Sequence, residues 1–461
     1  MPPDAPTAFS PRSALPRLLT LAWPIVVSRS TQVVVGLCDA AMVAHLGEGA
    51  LAATTTGALN AYVVLILPMG IAFIVQSFAS QLRGRGDVAG ARRYGWYGLV
   101  LAAGTQAVAL AALAAVGPIL GAVYAGGEVR ALMESYLLWR LPSAGAAIGI
   151  EALSNYYGGL GDTRLPMRAS VAAMLLNVAG NWVLIDGHLG APALGVAGAA
   201  IASTLSTAVA FAGLLAVFLR DGLRAEGRLV ARLRARELLR MLRFGVPSGV
   251  YWFLEFFAFT FFVNVIVGGL GTTSLAALMT VIQINSFAFL PAFALASAGA
   301  ILVGQAIGGS RKDDVPRLVA ITFGACCAWE ALAGIAYLAA PTLLFAPFAR
   351  DPASAPALLA VGARMLRLTA AWQLFDAAAA AFGECLRAAG DTAFTMWARV
   401  AVAWVFFVPG SWMSVRWLGA GDVAAIGWVV AYLGVLAAVL VLRFRTGAWR
   451  RIDLVEPAPA A

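Results

Sequence analysis

The chain has 461 residues, 61% of them hydrophobic and only 12% charged, with a mean hydropathy of +0.84. That composition lies outside the range of soluble domains and points to a polytopic membrane protein. The formal net charge of +9 is dispersed over the ends of apolar runs rather than gathered into one footprint, so nucleic acid is not an expected partner.

Taken in chain order, twelve apolar stretches predict membrane helices at 16–45, 52–82, 92–117, 130–157, 165–186, 195–219, 239–268, 275–305, 316–341, 357–388, 394–415 and 422–445. They are long enough for a hydrocarbon layer of about 30 Å and do not alternate as barrel strands would. Basic residues alternate by loop. Arg12 and Arg17 precede the first helix, Arg83, Arg85, Arg92 and Arg93 follow the second, Arg164 and Arg168 the fourth, and a run from Arg220 to Arg243 the sixth. Arg311, Lys312 and Arg317, then Arg387 and Arg399, then Arg443, Arg445, Arg450 and Arg451 fall on the same side, against Arg130, Arg350 and Arg416 opposite. The positive-inside rule places that side, with both termini and the central loop, in the cytoplasm. The first apolar run is too long for a cleavable signal, and the tail "EPAPAA" reads as disordered.

The four cysteines, Cys38, Cys326, Cys327 and Cys385, fall inside predicted spans at spacings that suit neither disulfides nor zinc, and His45 and His188 are too few for a metal site. No nucleotide-binding loop or hydrolase triad is present, so no enzyme and no cofactor are expected beyond a coupling ion.

The sequence is doubled. "HLGEGALAATTTGALNAYVVLILPMGIAFIVQSFASQ" from His45 lines up with "GLGTTSLAALMTVIQINSFAFLPAFALASAGAILVGQ" from Gly269, matching Leu46-Gly47 with Leu270-Gly271, Leu67-Pro68 with Leu290-Pro291 and Gln81 with Gln305. Later, "GDTRLPM" from Gly161 is answered by "GDTAFTM" from Gly390. A six-helix unit repeated once keeps its orientation, giving parallel repeats about an axis along the membrane normal, with a binding cavity between them near the midplane. The expected layout is a tail at 1–15, a six-helix lobe at 16–219, a basic linker at 220–238, a second lobe at 239–445 and a tail at 446–461. The linker stretch "LRDGLRAEGRLVARLRARELLR" reads as an amphipathic helix lying on the anionic inner leaflet.

An aspartate at the centre of a membrane helix costs about 2.5 to 3.5 kcal/mol on insertion scales, so such residues face protein or water. Asp39 in "VVVGLCDAAMVAHLG", Glu255 in "YWFLEFFAF" and Asp376 in "WQLFDAAAAA" are the strongest candidates. Carboxylates so placed are the groups that exchange a proton or hold a sodium ion with other oxygens. Asn177 and Asn181 share a helix face, Ser203 and Thr204 lie among small residues, and Gln283, Asn285 and Asn264 are polar counterparts in the second half. Gln32, Gln283, Asn285, Trp252 and Phe256 are candidates for a substrate cavity, whose aromatic wall would tolerate a cation. Glu330 and Arg29 are mid-span charges without an evident partner, while Glu151 and Glu384 lie nearer helix ends, where Arg387 or loop arginines would pair with them.

Together, the order of these motifs, the helix count and the doubling resemble the multidrug and toxic compound extrusion (MATE) family over nearly the whole chain. The resemblance runs from "LAWPIVVSRSTQVVVGLCDAAMVAHLG" through "GLGDTRLPM" and "GVAGAAIAST" to "AAGDTAFTM". It implies an all-α membrane protein of twelve transmembrane helices in two pseudo-symmetric six-helix lobes arranged as a V. The implied activity is export of organic cations and amphipathic compounds in exchange for protons or sodium, from the bacterial cytoplasmic membrane. Asp39 would couple in the N-terminal lobe with Asn177, Asn181 and Ser203, and Glu255 with Asp376 would offer a cation site, sodium included, in the C-terminal lobe. Two residues depart from the pattern: Asn181 stands where some members carry an aspartate, and Trp372 where a tyrosine is often found. Both leave the coupling ion open. The expected partners are small amphipathic substrates and the lipid bilayer, with the chain a monomer. Competing readings are a flippase or exporter of a lipid-linked sugar or metabolite, and a channel, which would not need three buried acids on separate helices.

Overall fold

The protein was analysed as a computed structural model, which describes residues 13–124, 126–227, 229–349 and 355–456. The first part of the expected N-terminal tail and residues 457–461 of the C-terminal tail lie outside the described residues.

Helix follows helix along the chain: α1 (Ala14–Val43), α2 (Glu48–Ala72), α3 (Ile74–Arg85), α4 (Val88–Val123), α5 (Glu128–Arg140), α6 (Ala144–Leu160), α7 (Arg164–Asp186) and α8 (Gly195–Glu226). The second half continues with α9 (Ala235–Phe261), α10 (Thr272–Gly308), α11 (Val315–Ala339), α12 (Pro341–Phe345), α13 (Ala355–Thr369), α14 (Gln373–Ala389), α15 (Thr392–Ala401), α16 (Val408–Arg416) and α17 (Asp422–Arg445). Among the described residues there is no strand. Ten helical stretches among the described residues are long and apolar enough to cross a membrane.

The other two expected spans, 130–157 and 357–388, are each broken in two. Between α5 and α6 the chain tightens into a 3-10 turn at Leu141–Ser143, where Pro142 has no N–H to give a helix ladder. Between α13 and α14, Ala371 and Trp372 bond back to Leu368 and Thr369, three residues earlier instead of four.

Local signals repeat between the halves as the sequence does. Gly47 and Gly271 hold φ of 111° and 107°, and each amide closes a short turn onto Ala44 or Gly268 before the next helix begins. A side chain at either would strain the backbone. Gly161 and Gly390, which open the paired "GDT" motifs, cap α6 and α14 at φ of 93° and 91°. The most enclosed stretches also correspond: Ile74–Leu82 of α3 is buried throughout, as is Ala298–Ala306 of α10.

Contacts divide the chain into two compact units, one of Pro24–Gly249 and one of the described residues up to Trp23 together with those from Val250 onward. In the first, α6 packs on α3 and α4 while α7 pairs with α8. Small residues permit this closeness: a Cβ on Gly159 would stand 2.7 Å from the Cβ of Ala79 and from the carbonyl of Gln76. In the second, α10 packs on α11, α13 and α14, and α14 on α17.

The separate amphipathic helix expected at 220–238 does not form. α8 instead runs on to Glu226, where Gly227 ends it with φ of 63°. The following residues are tied to α4: Arg92 donates to the Leu229 carbonyl at 2.7 Å, and the Arg234 amide donates to the Tyr97 hydroxyl at 2.8 Å. Arg93 then pairs with Glu237 of α9 at 2.8 Å. The arginine periodicity that suggested a lipid-facing helix belongs in part to the ends of two long helices.

Candidate ion-coupling site

Within the first unit, Asp39 lies one turn before the end of α1, 8% exposed. α7 presents Asn177 and Asn181 on one face, four residues apart, and α8 adds Ser203. All three are buried. Asn181 Nδ2 donates to Asp39 Oδ1 at 2.5 Å and Ser203 Oγ to Asp39 Oδ2 at 3.3 Å, while Asn177 Nδ2 donates to Ser203 Oγ at 2.9 Å. The four residues expected to act together are therefore in one hydrogen-bonded cluster. One turn away, later on α1 and α7 and earlier on α8, Val43, Ile185 and Ala199 join Ala50, Tyr136, Val196 and Ala200 in an apolar cluster. The carboxylate thus sits in a pocket closed by hydrocarbon at that end. Thr204 points elsewhere, donating to the Trp139 carbonyl at 2.7 Å.

The donors that reach Asp39 are neutral. Arg140 is near enough for its charge to act on the carboxylate, but the guanidinium is engaged with Ser143. Asn181 Oδ1 meets no donor among the described residues. The cluster therefore presents both an acceptor for a carboxyl proton and oxygens of the kinds that ligate small cations. A protonated Asp39 can donate to the Asn181 oxygen after the amide turns over, and a cation finds carboxylate, hydroxyl and amide oxygens within one shell.

The carboxylates of the second unit are arranged differently. Arg399 of α15 donates to both oxygens of Glu255, at 3.1 and 3.2 Å, and the Tyr432 hydroxyl of α17 donates to the same carboxylate. Arg399 also lies 5.1 Å from the centre of the Tyr251 ring. Two π-helical turns flank this cluster, Phe262–Val267 and Val402–Phe407, with Phe262 and Phe407 in contact at 4.9 Å between ring centres. Such turns release main-chain groups from the helix ladder and are frequent at functional sites. Asp376, in the first turn of α14, feels the charges of both Arg399 and Glu255.

Several expectations need revision here. Arg399, counted with the basic residues of the cytoplasmic side, lies within α15 and pairs inside its unit with Glu255. Arg29, without an evident partner in the sequence, bonds Glu151 at 2.8 and 3.3 Å. That pair replaces the loop arginine expected for Glu151, whereas Glu384 does bond Arg387, as expected. Among the cavity candidates, Gln32 and Gln283 are exposed, while Trp252 and Phe256 are half-buried. Trp252 donates to the Tyr251 hydroxyl at 2.8 Å. Asn285 accepts from Gln373 at 2.8 Å, and Asn264 bonds back to its own helix at the Thr260 carbonyl. The partners missed in the sequence, Arg399 and Tyr432, lie 144 and 177 positions from Glu255. Their one signal was that each interrupts an apolar run.

The MatE family model matches residues 24–183 and 247–413. The chain is 28% identical over 461 residues to the "Probable multidrug resistance protein NorM" of Mesorhizobium japonicum, covering 97% of this chain and 96% of that protein. It is 29% identical over 464 residues to the protein of the same name from Pseudomonas putida, covering 97% of each. Its fold is similar to that in "Crystal structure of MATE in complex with MaL6", with a TM-score of 0.85 at 20% identity over 95% of this chain and 98% of that one. The matched segments span both halves of the repeat and contain Asp39, Asn177, Asn181, Glu255, Asp376 and Arg399, and on that ground the chain belongs to the MatE family of multi-pass membrane transporters, which are not enzymes.

Proposed function

We propose that this protein exports organic cations and other amphipathic drugs across the bacterial cytoplasmic membrane in exchange for protons or sodium ions, by alternating access. The observation that carries the reading is the Asp39 cluster, a buried carboxylate held by Asn181 and Ser203 with neutral hydrogen bonds. A carboxylate so held changes its charge without breaking an ion pair, which is what a coupling group must do on every cycle. Ion occupancy then biases the lobes toward one opening, and a substrate that prefers the other state is released when the ion enters. The names of the NorM relatives support drugs as substrates, and the loop-by-loop placement of arginines supports cytoplasmic termini. A monomer is the proposed working unit.

The test is transport by purified protein in liposomes loaded with a fluorescent organic cation. A pH gradient and a sodium gradient are imposed in turn, on wild type and on Asp39→Asn. Movement driven by one gradient and abolished in the variant supports the proposal and names the ion. If neither gradient moves any cation, the drug-antiport reading fails and a lipid-linked sugar becomes the substrate to test.

A further inference from the structure

We propose that Glu330 is the anionic ligand of a second monovalent-cation site, separate from Asp39 and contained in the unit that begins at Val250, with the side-chain oxygen of Gln373 completing it. Glu330 is 0% exposed, in the middle of α11, and neither of its carboxylate oxygens meets a hydrogen-bond donor among the described residues. The side-chain oxygen of Gln373, 1% exposed in the first turn of α14, is likewise without a donor. The two side chains belong to packed helices, α11 and α14, and lie within a turn of one another along α11. Cys326, Glu330, Gly334 and Tyr337 form the buried face of α11, and the Gln373 side chain lies 3.6 Å from where a Cβ on Gly334 would stand, one turn from Glu330.

Gln373 is held in that place by its nitrogen. Nε2 donates to Asn285 Oδ1 at 2.8 Å, and that oxygen also accepts from the Tyr337 hydroxyl at 3.5 Å. With the amide nitrogen so committed, the amide oxygen is the free end. Three buried oxygens with lone pairs and no donor are destabilising if left unsatisfied, and a positive charge delivered from outside satisfies them.

The charged surroundings favour the same ligand. The charge that acts on Glu330 is that of Asp376, of like sign, so the field attracts a cation. α10 contributes no titratable side chain to this region. On α11 itself the neighbours are the thiols of Cys326 and Cys327 and the phenol of Tyr337. On α13, Arg364 pairs with Asp422 and Arg367 is exposed, and on α14 Arg387 is bound to Glu384. One fully buried carboxylate with a single uncommitted amide oxygen near it suits a proton or a sodium ion and not a divalent or organic cation.

The test is an equilibrium measurement that needs neither gradient nor drug, so its failure is distinct from a failure of the transport reading. Infrared difference spectra of the full chain in liposomes are recorded on adding sodium at fixed pH, and on raising pH without sodium. For wild type and Asp39→Asn, a protonated-carboxyl band disappears that Glu330→Gln lacks. Loss on adding sodium identifies sodium as the occupant, and loss only on raising pH identifies the proton. Superimposable difference spectra for wild type and Glu330→Gln overturn the site. Gln373→Leu keeps the carboxylate and shifts the midpoint concentration by about tenfold, the effect of one lost oxygen partner. It carries the test should Glu330→Gln not fold, and an unmoved midpoint overturns the proposal for Gln373.

Discussion

Breaking the Arg29–Glu151 pair is expected to destabilise the Pro24–Gly249 unit by an amount that depends on which partner is removed. The two side chains are 18% and 7% exposed and share bonds of 2.8 and 3.3 Å. Removing one member of a buried ion pair costs 3–5 kcal/mol in general. Two features bring the figure down here. Asn155 still donates to Glu151 at 2.9 Å when Arg29 is gone, and Arg29 still lies 5.6 Å from the Phe73 ring centre when Glu151 is gone. Arg29→Gln should therefore cost about 3 kcal/mol, at the low end of that range. Glu151→Gln should cost about 2 kcal/mol, since the amide oxygen still accepts and the cation keeps its aromatic neighbour. The double variant should cost about 3 kcal/mol instead of the summed 5, because two neutral amides can bond each other. Reversible unfolding in mixed micelles, followed by tryptophan fluorescence, measures all four proteins. A double variant whose loss equals the sum of the single losses within about 0.5 kcal/mol would refute the pairing as a source of stability.

Other expected outcomes rest on different parts of the molecule. Asn181→Leu removes the 2.5 Å donor to Asp39 and should lower gradient-driven export at least tenfold with little loss of folded protein, as one hydrogen bond to a charged group is worth about 1.5 kcal/mol or more; export equal to wild type would remove Asn181 from the site. Gly159→Val places a branched Cβ 2.7 Å from the Ala79 Cβ and the Gln76 carbonyl, and overpacking of this kind costs about 1–3 kcal/mol, read as a lower midpoint in the same unfolding assay. Cys326 and Cys385 are buried free thiols. They should resist maleimide in the folded protein and react on unfolding, and rapid labelling of either in the native state would contradict the packing of α11 and α14.

The fold was legible because a membrane leaves few choices. Apolar runs of bilayer length, bounded by arginines on alternate sides, specify helices nearly without reference to tertiary contacts, and the paired Leu-Gly and Gly-Asp-Thr motifs keep their turn and cap conformations in both halves. The Asp39 cluster was legible for a related reason: Asn177 and Asn181 are four apart, and a helix must place them together. What could not be read is the pairing of charges far apart in sequence. Arg399 lies in the last turn of α15, and its position in sequence beside so many basic loop ends made it look cytoplasmic. Glu151 could be matched with any arginine until the packing of α6 chose Arg29. The linker failed for another reason, because an arginine-rich periodic stretch reads as one amphipathic helix whether or not Gly227 divides it.

These pairings also set the roles of the buried acids apart. Asp39 is held by neutral donors, so under the proposed function a proton or sodium ion enters the cluster without breaking an ion pair. Glu255 must first give up Arg399, its partner in a half-buried ion pair, before it binds a cation with comparable geometry. If that argument is right, Arg399→Gln turns Glu255 and Asp376 into a cation site. In a Glu330→Gln background, which removes the other proposed site of that unit, the Arg399→Gln protein should then gain thermal stability as sodium replaces choline at constant ionic strength, by RT ln(1 + [Na]/Kd). The same background with Arg399 intact should show no such gain beyond what Asp39 contributes, and Asp39→Asn subtracts that contribution. Equal sodium dependence with and without Arg399 would mean that the guanidinium does not guard the site, and the division of labour between Asp39 and Glu255 would have to be drawn on other grounds.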